Sequence, residues 1–199
     1  MNLSESVAQL KSYEKKKFLQ SFDLIVNIAN IDLKKPENKI FKDILLPNGR
    51  GKDIQVAIIS DSIDGAISKQ DIETMDKKSM KNLTRKYEFF ICEAPLMPLV
   101  GKVMGRYLGP KGKMPKLLPP GRSREAVISE AKNSVRIKMR DSPVIHVYVG
   151  NENMENKLIE DNVMHVINEI KKSLPAKARI KNVYLKLTMS NPVKIDTVL

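Results

Sequence analysis

Two apolar rhythms share this chain, and each demands different surroundings. Residues 22–28 alternate, with Phe22, Leu24, Val26 and Ile28 on one side and Asp23, Ile25 and Asn27 on the other; residues 183–189 alternate in the same way. Such segments are strands with one buried face. Residues 54–59 and 89–92 are instead unbroken apolar runs, the pattern of strands covered on both faces. The continuous runs lie between two turn clusters, one around Gly49 and one at Asp141-Ser142-Pro143, with alternating segments toward both ends. That order predicts an α/β domain over residues 50–141, inserted into an α+β domain made from residues 1–49 and 142–199.

The remaining patterns fill in this frame. Residues 3–17 are amphipathic, with Leu3, Val7 and Leu10 on one face and Lys15, Lys16 and Lys17 placed in the last turn, where cations suit the helix dipole. A second short strand is predicted over 41–46. A helix should begin at Ser68, which forms a capping-box pattern with Asp71, and carry Ile72, Met75 and Leu83 on one side. Residues 94–100 read as a connection, residues 122–134 as a helix, and residues 135–140 as a strand with Arg136, Lys138 and Arg140 on one face. Residues 144–149 give a further strand. Residues 152–174 give a long helix with a stripe of Leu158, Ile159, Val163, Val166, Ile167 and Ile170, ended by Pro175.

Charge narrows the function. The 199 residues hold 35 Lys+Arg against 23 Asp+Glu, a formal net charge of +12. A polyanion is the partner that this excess fits. Residues 101–140 carry eleven of the basic residues and only Glu125 and Glu130 as acids, interleaved with glycines and prolines. One cysteine, Cys92, leaves no disulfide within the chain, and a reducing compartment is expected. With no run of 18 apolar residues and no apolar stretch behind the first lysines, the expectation is a cytoplasmic protein without a membrane partner.

Catalytic constellations are absent from the pattern. Gly51-Lys52 is followed by Asp53, and Gly112-Lys113 by Met114, so neither is a phosphate-binding loop. The glycines at 101, 105, 109 and 112 do not make a dinucleotide fingerprint. His146 and His165 have no metal-ligand spacing, and both are expected to be structural, as is Cys92. No enzyme activity, cofactor or metal is therefore expected. Gly109-Pro110-Lys111-Gly112 has the form of a backbone-clamping GXXG loop. The prolines at 115, 119 and 120 oppose the helix that should follow such a loop.

The run Met104-Gly105-Arg106-Tyr107-Leu108-Gly109-Pro110-Lys111-Gly112-Lys113-Met114-Pro115 closely resembles the signature of the large ribosomal subunit protein L-one family, of archaeal and eukaryotic type. Other segments agree in order. Residues 17–24 look like the family's first RNA-facing strand, residues 46–52 like its hinge, residues 141–146 like the return into the first domain, and residues 184–189 like its closing strand. The resemblance covers almost the whole chain. It implies the ribosomal protein L-one fold, an α+β domain from both termini with a Rossmann-like α/β insertion.

By the same resemblance, the protein would bind large-subunit ribosomal RNA at the mobile stalk near the tRNA exit site. Exit-site tRNA and its own messenger RNA, whose translation it would repress, are further implied partners. The RNA surface would include Lys17, Phe18, Ser21, Asp23, Thr188 and Met189. Hydroxyls suit 2′-OH and phosphate contacts, Phe18 and Met189 apolar contact, and Lys17 a phosphate. Strand alternation adds Lys186 and Ser190 to the face of Thr188. The basic segment that holds Lys102, Arg106, Lys111, Lys113 and Lys116 has two readings: a secondary contact for RNA or tRNA, or a structural loop packed near the hinge. Two departures stand out: the family's Thr-Met-Gly-Pro is here Thr188-Met189-Ser190-Asn191, and no helix pattern occurs between Ser60 and Ile67, which predicts a trimmed insertion. The alternatives are a free RNA-binding regulator and an RNA-modifying enzyme.

Overall fold

The computed structural model describes residues 1–14, 16–61, 65–119 and 123–196. In chain order the elements are α1 (Leu3–Lys11), β1 (Ser21–Ala29), β2 (Phe41–Leu45), β3 (Val56–Ile59), α2 (Lys69–Thr74), α3 (Lys77–Lys86) and β4 (Phe89–Cys92), then α4 (Met97–Leu108), β5 (Lys116–Leu117), α5 (Arg124–Asn133), β6 (Ser134–Lys138), β7 (Val144–Asn151), α6 (Asn156–Ser173), β8 (Arg179–Leu187) and β9 (Val193–Ile195). They form two compact units. The first takes in Met1–Lys52 and the chain from Asn133 onward, and the second is Asp53–Lys132.

The first unit is α+β. Its main sheet has the order β7-β1-β8-β9, with every neighbouring pair antiparallel. Strand β1 buries alternate residues, and Phe22, Leu24 and Val26 are fully inaccessible. Removing a side chain of that size from water contributes about 1.5–3 kcal/mol. Those side chains share one core with Val7 and Leu10 of α1 and with Ile159, Val163, Val166, Ile167 and Ile170 of α6. Strands β2 and β6 form a second, two-stranded sheet, in register from Phe41↔Lys138 to Leu45↔Ser134. Val135, Ile137 and Met139 therefore add to the core of this unit, although the sequence patterns place residues 135–140 in the insertion.

The second unit is α/β, with three parallel strands in the order β3-β4-β5. Strand β4 is buried on both faces, as its unbroken apolar run predicts. Phe90 and Cys92 pack in one cluster with Val100, Met104 and Leu108 of α4, while Phe89 and Ile91 pack in another with Val127 and Ala131 of α5. Helices thus cover both faces of a small sheet. Between Ser60 and Ile67, residues 62–64 lie outside the described residues; the Ile67 N–H donates to the Ile58 carbonyl at 2.9 Å.

Several expectations are corrected. Helix α1 ends at Lys11, so Lys16 and Lys17 lie beyond it; Lys15, like Pro120 and Arg122, lies outside the described residues. The helix predicted from Ser68 is two helices: the Ser68–Asp71 capping box forms, but Met75 is extended (ψ 125°) and Asp76 starts α3. Residues 94–100, read as a connection, run into helix α4 over Met97–Leu108. Pro98 sits in its first turn, where no N–H is needed, and Val100, Met104 and Leu108 bury one face. Strand β8 ends at Leu187, one turn before Ser190, and β9 pairs beside it.

The crossing out of the first unit is stitched into that unit. Fully buried Asn162 of α6 accepts from the Asn48 N–H (3.1 Å) and donates through Nδ2 to the carbonyls of Gly49 (3.0 Å) and Val149 (2.9 Å). Arg50 is buried, donates to the Ser134 carbonyl (3.1 Å) and stacks 5.0 Å from the Tyr148 ring, whose hydroxyl donates to the Arg50 carbonyl at 2.7 Å. Gly49 and Gly51 adopt φ of +65° and +64°, and a Cβ on Gly51 would meet Met154 Sδ at 2.7 Å. Only glycine fits there. Asn162→Ala strands three backbone groups at once and should lower unfolding free energy by about 2–4 kcal/mol in urea titration; a loss below about 0.5 kcal/mol would contradict the role given to this residue.

Candidate nucleic-acid interface

One face of the main sheet packs on α1 and α6, so the other is open. The strand registers place Ser21, Asp23, Ile25 and Asn27 of β1 on it, opposite Asn182, Tyr184 and Lys186 of β8 and His146 and Tyr148 of β7. Lys194 of β9 pairs with Tyr184. At one end of this face, strand pairing Phe22↔Leu187 brings together the segment entering β1 and the turn leaving β8. There Thr188 Oγ1 accepts from the Ser21 N–H (3.0 Å) and lies 2.9 Å from Ser21 Oγ, while the Thr188 N–H donates to the Ser21 carbonyl (3.1 Å). Two hydroxyls, half-buried Ser21 and exposed Thr188, fixed against each other by backbone, thus form a preset hydrogen-bonding pair.

Apolar side chains frame that pair. Phe18 is 50% and Met189 66% exposed, and Tyr13 and Leu19 are also exposed on the same approach. Those four account for nearly half of the nine large apolar side chains exposed among the described residues. Clustering of this kind marks an interaction surface rather than scattered exposure. Tyr13, Gln20, Leu187, Met189, Ser190 and Asn191 line a shallow pocket of about 280 Å³ beside it. Lys17 is exposed on the same segment; Lys16 beside it is engaged by Glu14 at 3.0 Å.

Asp23 sits across the sheet from Lys186 and Tyr148. Partial burial pushes its carboxyl above the usual aspartate value, against the opposing pull of the Lys186 ammonium and of His146. Lys186 therefore serves to hold a half-buried carboxylate as well as to present charge. The strand alternation expected to align Thr188 with Ser190 does not reach them, because β8 stops at Leu187. Ser190 instead closes the turn: its Oγ accepts from the Leu187 N–H at 2.8 Å and reaches the Asn191 carbonyl at 3.1 Å. Its φ is not positive, so this turn has no need of the family's glycine.

The secondary basic residues lie on α4, in the turn that follows it and on β5. Lys102 and Arg106 are exposed on α4. Lys111 donates to Thr84 Oγ1 (3.2 Å), Lys113 to the carbonyls of Thr84 (3.1 Å) and Tyr87 (2.8 Å), and Lys116 lies 5.3 Å from the Phe89 ring. Gly109-Pro110-Lys111-Gly112 is the stop of α4, with the Lys113 N–H donating to the Leu108 carbonyl (2.9 Å) and Gly112 at φ +68°. Arg136, read as part of a cationic strand face, is bound by Asp43 at 2.7 Å.

His146, expected to be a structural histidine, is exposed on the open face of β7, and Tyr148 and Tyr184 share that face. The signal was in the sequence: residues 144–149 alternate, and His146 falls on the side opposite Ile145, Val147 and Val149. Cys92 is buried, and burial, with Glu93 beside it, pushes its thiol up to about 11, outside the range of a nucleophile. Among the described residues no group of three or more His, Cys, Asp or Glu could hold a metal ion, and no helix is long and apolar enough to cross a membrane.

A discontinuous α+β unit carrying an inserted α/β unit is the two-domain fold of a class of ribosomal proteins. The chain belongs to the Ribosomal protein L1p/L10e family, whose sequence profile matches residues 10–191. It is similar to the large ribosomal subunit protein uL1 of Pyrococcus horikoshii, 38% identical over 206 residues that cover 96% of this chain and 94% of that one. The proteins of the same name from Methanothermobacter thermautotrophicus and Thermoplasma volcanium are 36% and 38% identical, covering 97% and 98% of this chain and 98% and 96% of theirs.

The Asp23 carboxyl yields a pH prediction. A carboxyl raised in the folded state costs stability in its charged form, fully above its folded value and not at all below the unfolded one. Asp23→Asn should therefore melt higher than the natural protein at neutral pH, with the gap closing as pH falls toward the ordinary aspartate value. A variant that melts lower at neutral pH, or a gap that widens in acid, would contradict the burial account.

Proposed function

We propose that this chain is a structural constituent of the large ribosomal subunit, and that the Ser21–Thr188 end of its main sheet grips large-subunit ribosomal RNA at the mobile stalk beside the tRNA exit site. The names and near full-length similarity of the archaeal relatives support the first part. The observation that carries the second is the hydroxyl pair, 2.9 Å apart, framed by exposed Phe18 and Met189. Serine and threonine hydroxyls match phosphate oxygens and the 2′-OH, the group that tells RNA from DNA, and the apolar neighbours fit sugar or base. Lys17 adds a phosphate partner and Lys186 charge from the open face.

The same surface suits a stem-loop of similar shape in the protein's own messenger RNA, which would make repression a competition between two RNAs for one site. Lys102 and Arg106, exposed on α4, are the members of the basic group best placed for tRNA. The role is binding in the cytoplasm as part of a ribonucleoprotein, without turnover and without a cofactor. The names of the near full-length relatives favour this reading over an RNA-modifying or nucleotide-using enzyme.

The protein should cosediment with large subunits in a gradient; failure to do so would overturn the ribosomal role. Thr188→Val removes the hydroxyl while keeping shape, and should weaken binding to a stalk RNA fragment by about 1–3 kcal/mol, roughly 5- to 150-fold. Its exposed position limits the loss of fold stability to about 1 kcal/mol or less. Unchanged RNA affinity in this variant would place the site elsewhere.

A further inference from the structure

Helix α3, which none of the features above uses, has an unusual charge arrangement. Its ten residues include Lys77, Lys78, Lys81, Arg85 and Lys86 and no acid. All five cations are exposed, while Met80 and Thr84 are buried. At 3.6 residues per turn, Lys77, Lys81, Arg85 and Lys78 fall within an arc of about 100°, with the first three spaced about 6 Å apart along the axis. Like charges four residues apart repel, and Lys77 and Lys78 also sit in the first turn, where the helix dipole disfavours cations. In isolation this arrangement works against the helix. A helix that carries it is suited to an external polyanion that relieves the repulsion.

The surroundings reinforce the reading. Lys111 donates to Thr84 Oγ1 at 3.2 Å and so adds a cation beside the stripe, and Lys113 holds the carbonyls at the end of the helix. The other exposed residues of the helix are Asn82 and Ser79, so its exposed surface has no apolar or aromatic anchor. Protein interfaces are centred on such anchors and depleted of charge, whereas nucleic-acid backbones need neither. We propose that α3 is a docking surface for an RNA phosphodiester backbone, indifferent to sequence and separate from the sheet-end site.

The test uses the full chain and a random-sequence RNA duplex of about 20 base pairs, titrated over a range of salt. Combined Lys78→Gln, Lys81→Gln and Arg85→Gln, all compatible with a helix, should make the log-log salt slope shallower by about 2 to 3, as three phosphate contacts require. The melting temperature at low salt should hold or rise, because repulsion is removed. Combined Lys78→Arg and Lys81→Arg, which keeps the charge, should keep the slope. An unchanged slope in the glutamine variant overturns the proposal, as does an equal loss in the arginine variant. Retained duplex binding with loss of polyglutamate binding would assign α3 to an acidic protein instead, and would also overturn it. None of these outcomes depends on Ser21 or Thr188, so failure here leaves the sheet-end site standing.

Discussion

The stitching of residues 48–51 into the first unit is the constraint on which the rest of the molecule depends. A chain that leaves a domain and returns to it needs fixed points of exit, or the halves of that domain cannot find a common register. Asn162 supplies one, accepting from Asn48 and donating to Gly49 and Val149 from within α6. Asn151 supplies another, its Nδ2 donating to the Gly51 carbonyl at 2.6 Å from the end of β7. Arg50 reaches Ser134 at the start of β6 and Tyr148 in β7. The outgoing strap therefore touches β6, β7 and α6 of the returning chain. Buried amides achieve this because each carries both donors and an acceptor, and their full use in a low-dielectric interior makes loss of any one expensive.

From that anchoring the candidate interface follows. Strand β1 comes from the first half of the chain, and both its neighbours, β7 and β8, from the second. Ser21 and Thr188 are 167 positions apart in sequence, and only correct closure of the unit sets their hydroxyls 2.9 Å apart. The pair is a readout of assembly. The candidate surface is thus rigid backbone and hydroxyl geometry, whereas α3 carries five cations and no acid. Charge of this kind raises encounter and general affinity; placed hydroxyls and apolar contacts discriminate.

Much of the frame was legible in the residues because burial writes a period into a strand. The alternation of 22–28 and the unbroken run 89–92 gave the right faces, since one strand has a single covered side and the other has two. The stripe of α6 was equally plain. Helix α4 was not legible: Pro98, Gly101 and Gly105 argue against a helix locally, and tertiary burial of Val100, Met104 and Leu108 overrides them. The split at Met75 was hidden because Ile72 and Leu83 keep one-sided spacing across a break. At the site, the resemblance led to Ser21 and Thr188, but alternation carried too far assigned Ser190 to their face. A turn bonded by its own serine hydroxyl leaves no periodic trace. In the basic glycine segment, composition does not separate a lysine that faces solvent from Lys113, which holds the carbonyls at the end of a helix.

The most direct test of the central claim is amide hydrogen exchange of the full chain, alone and with a stalk ribosomal RNA stem-loop, at salt high enough to suppress non-specific contacts. The account predicts added protection concentrated at residues 17–23 and 186–190, including the Ser21 and Thr188 amides. Protection confined to residues 97–118, with the sheet end unchanged, would contradict it.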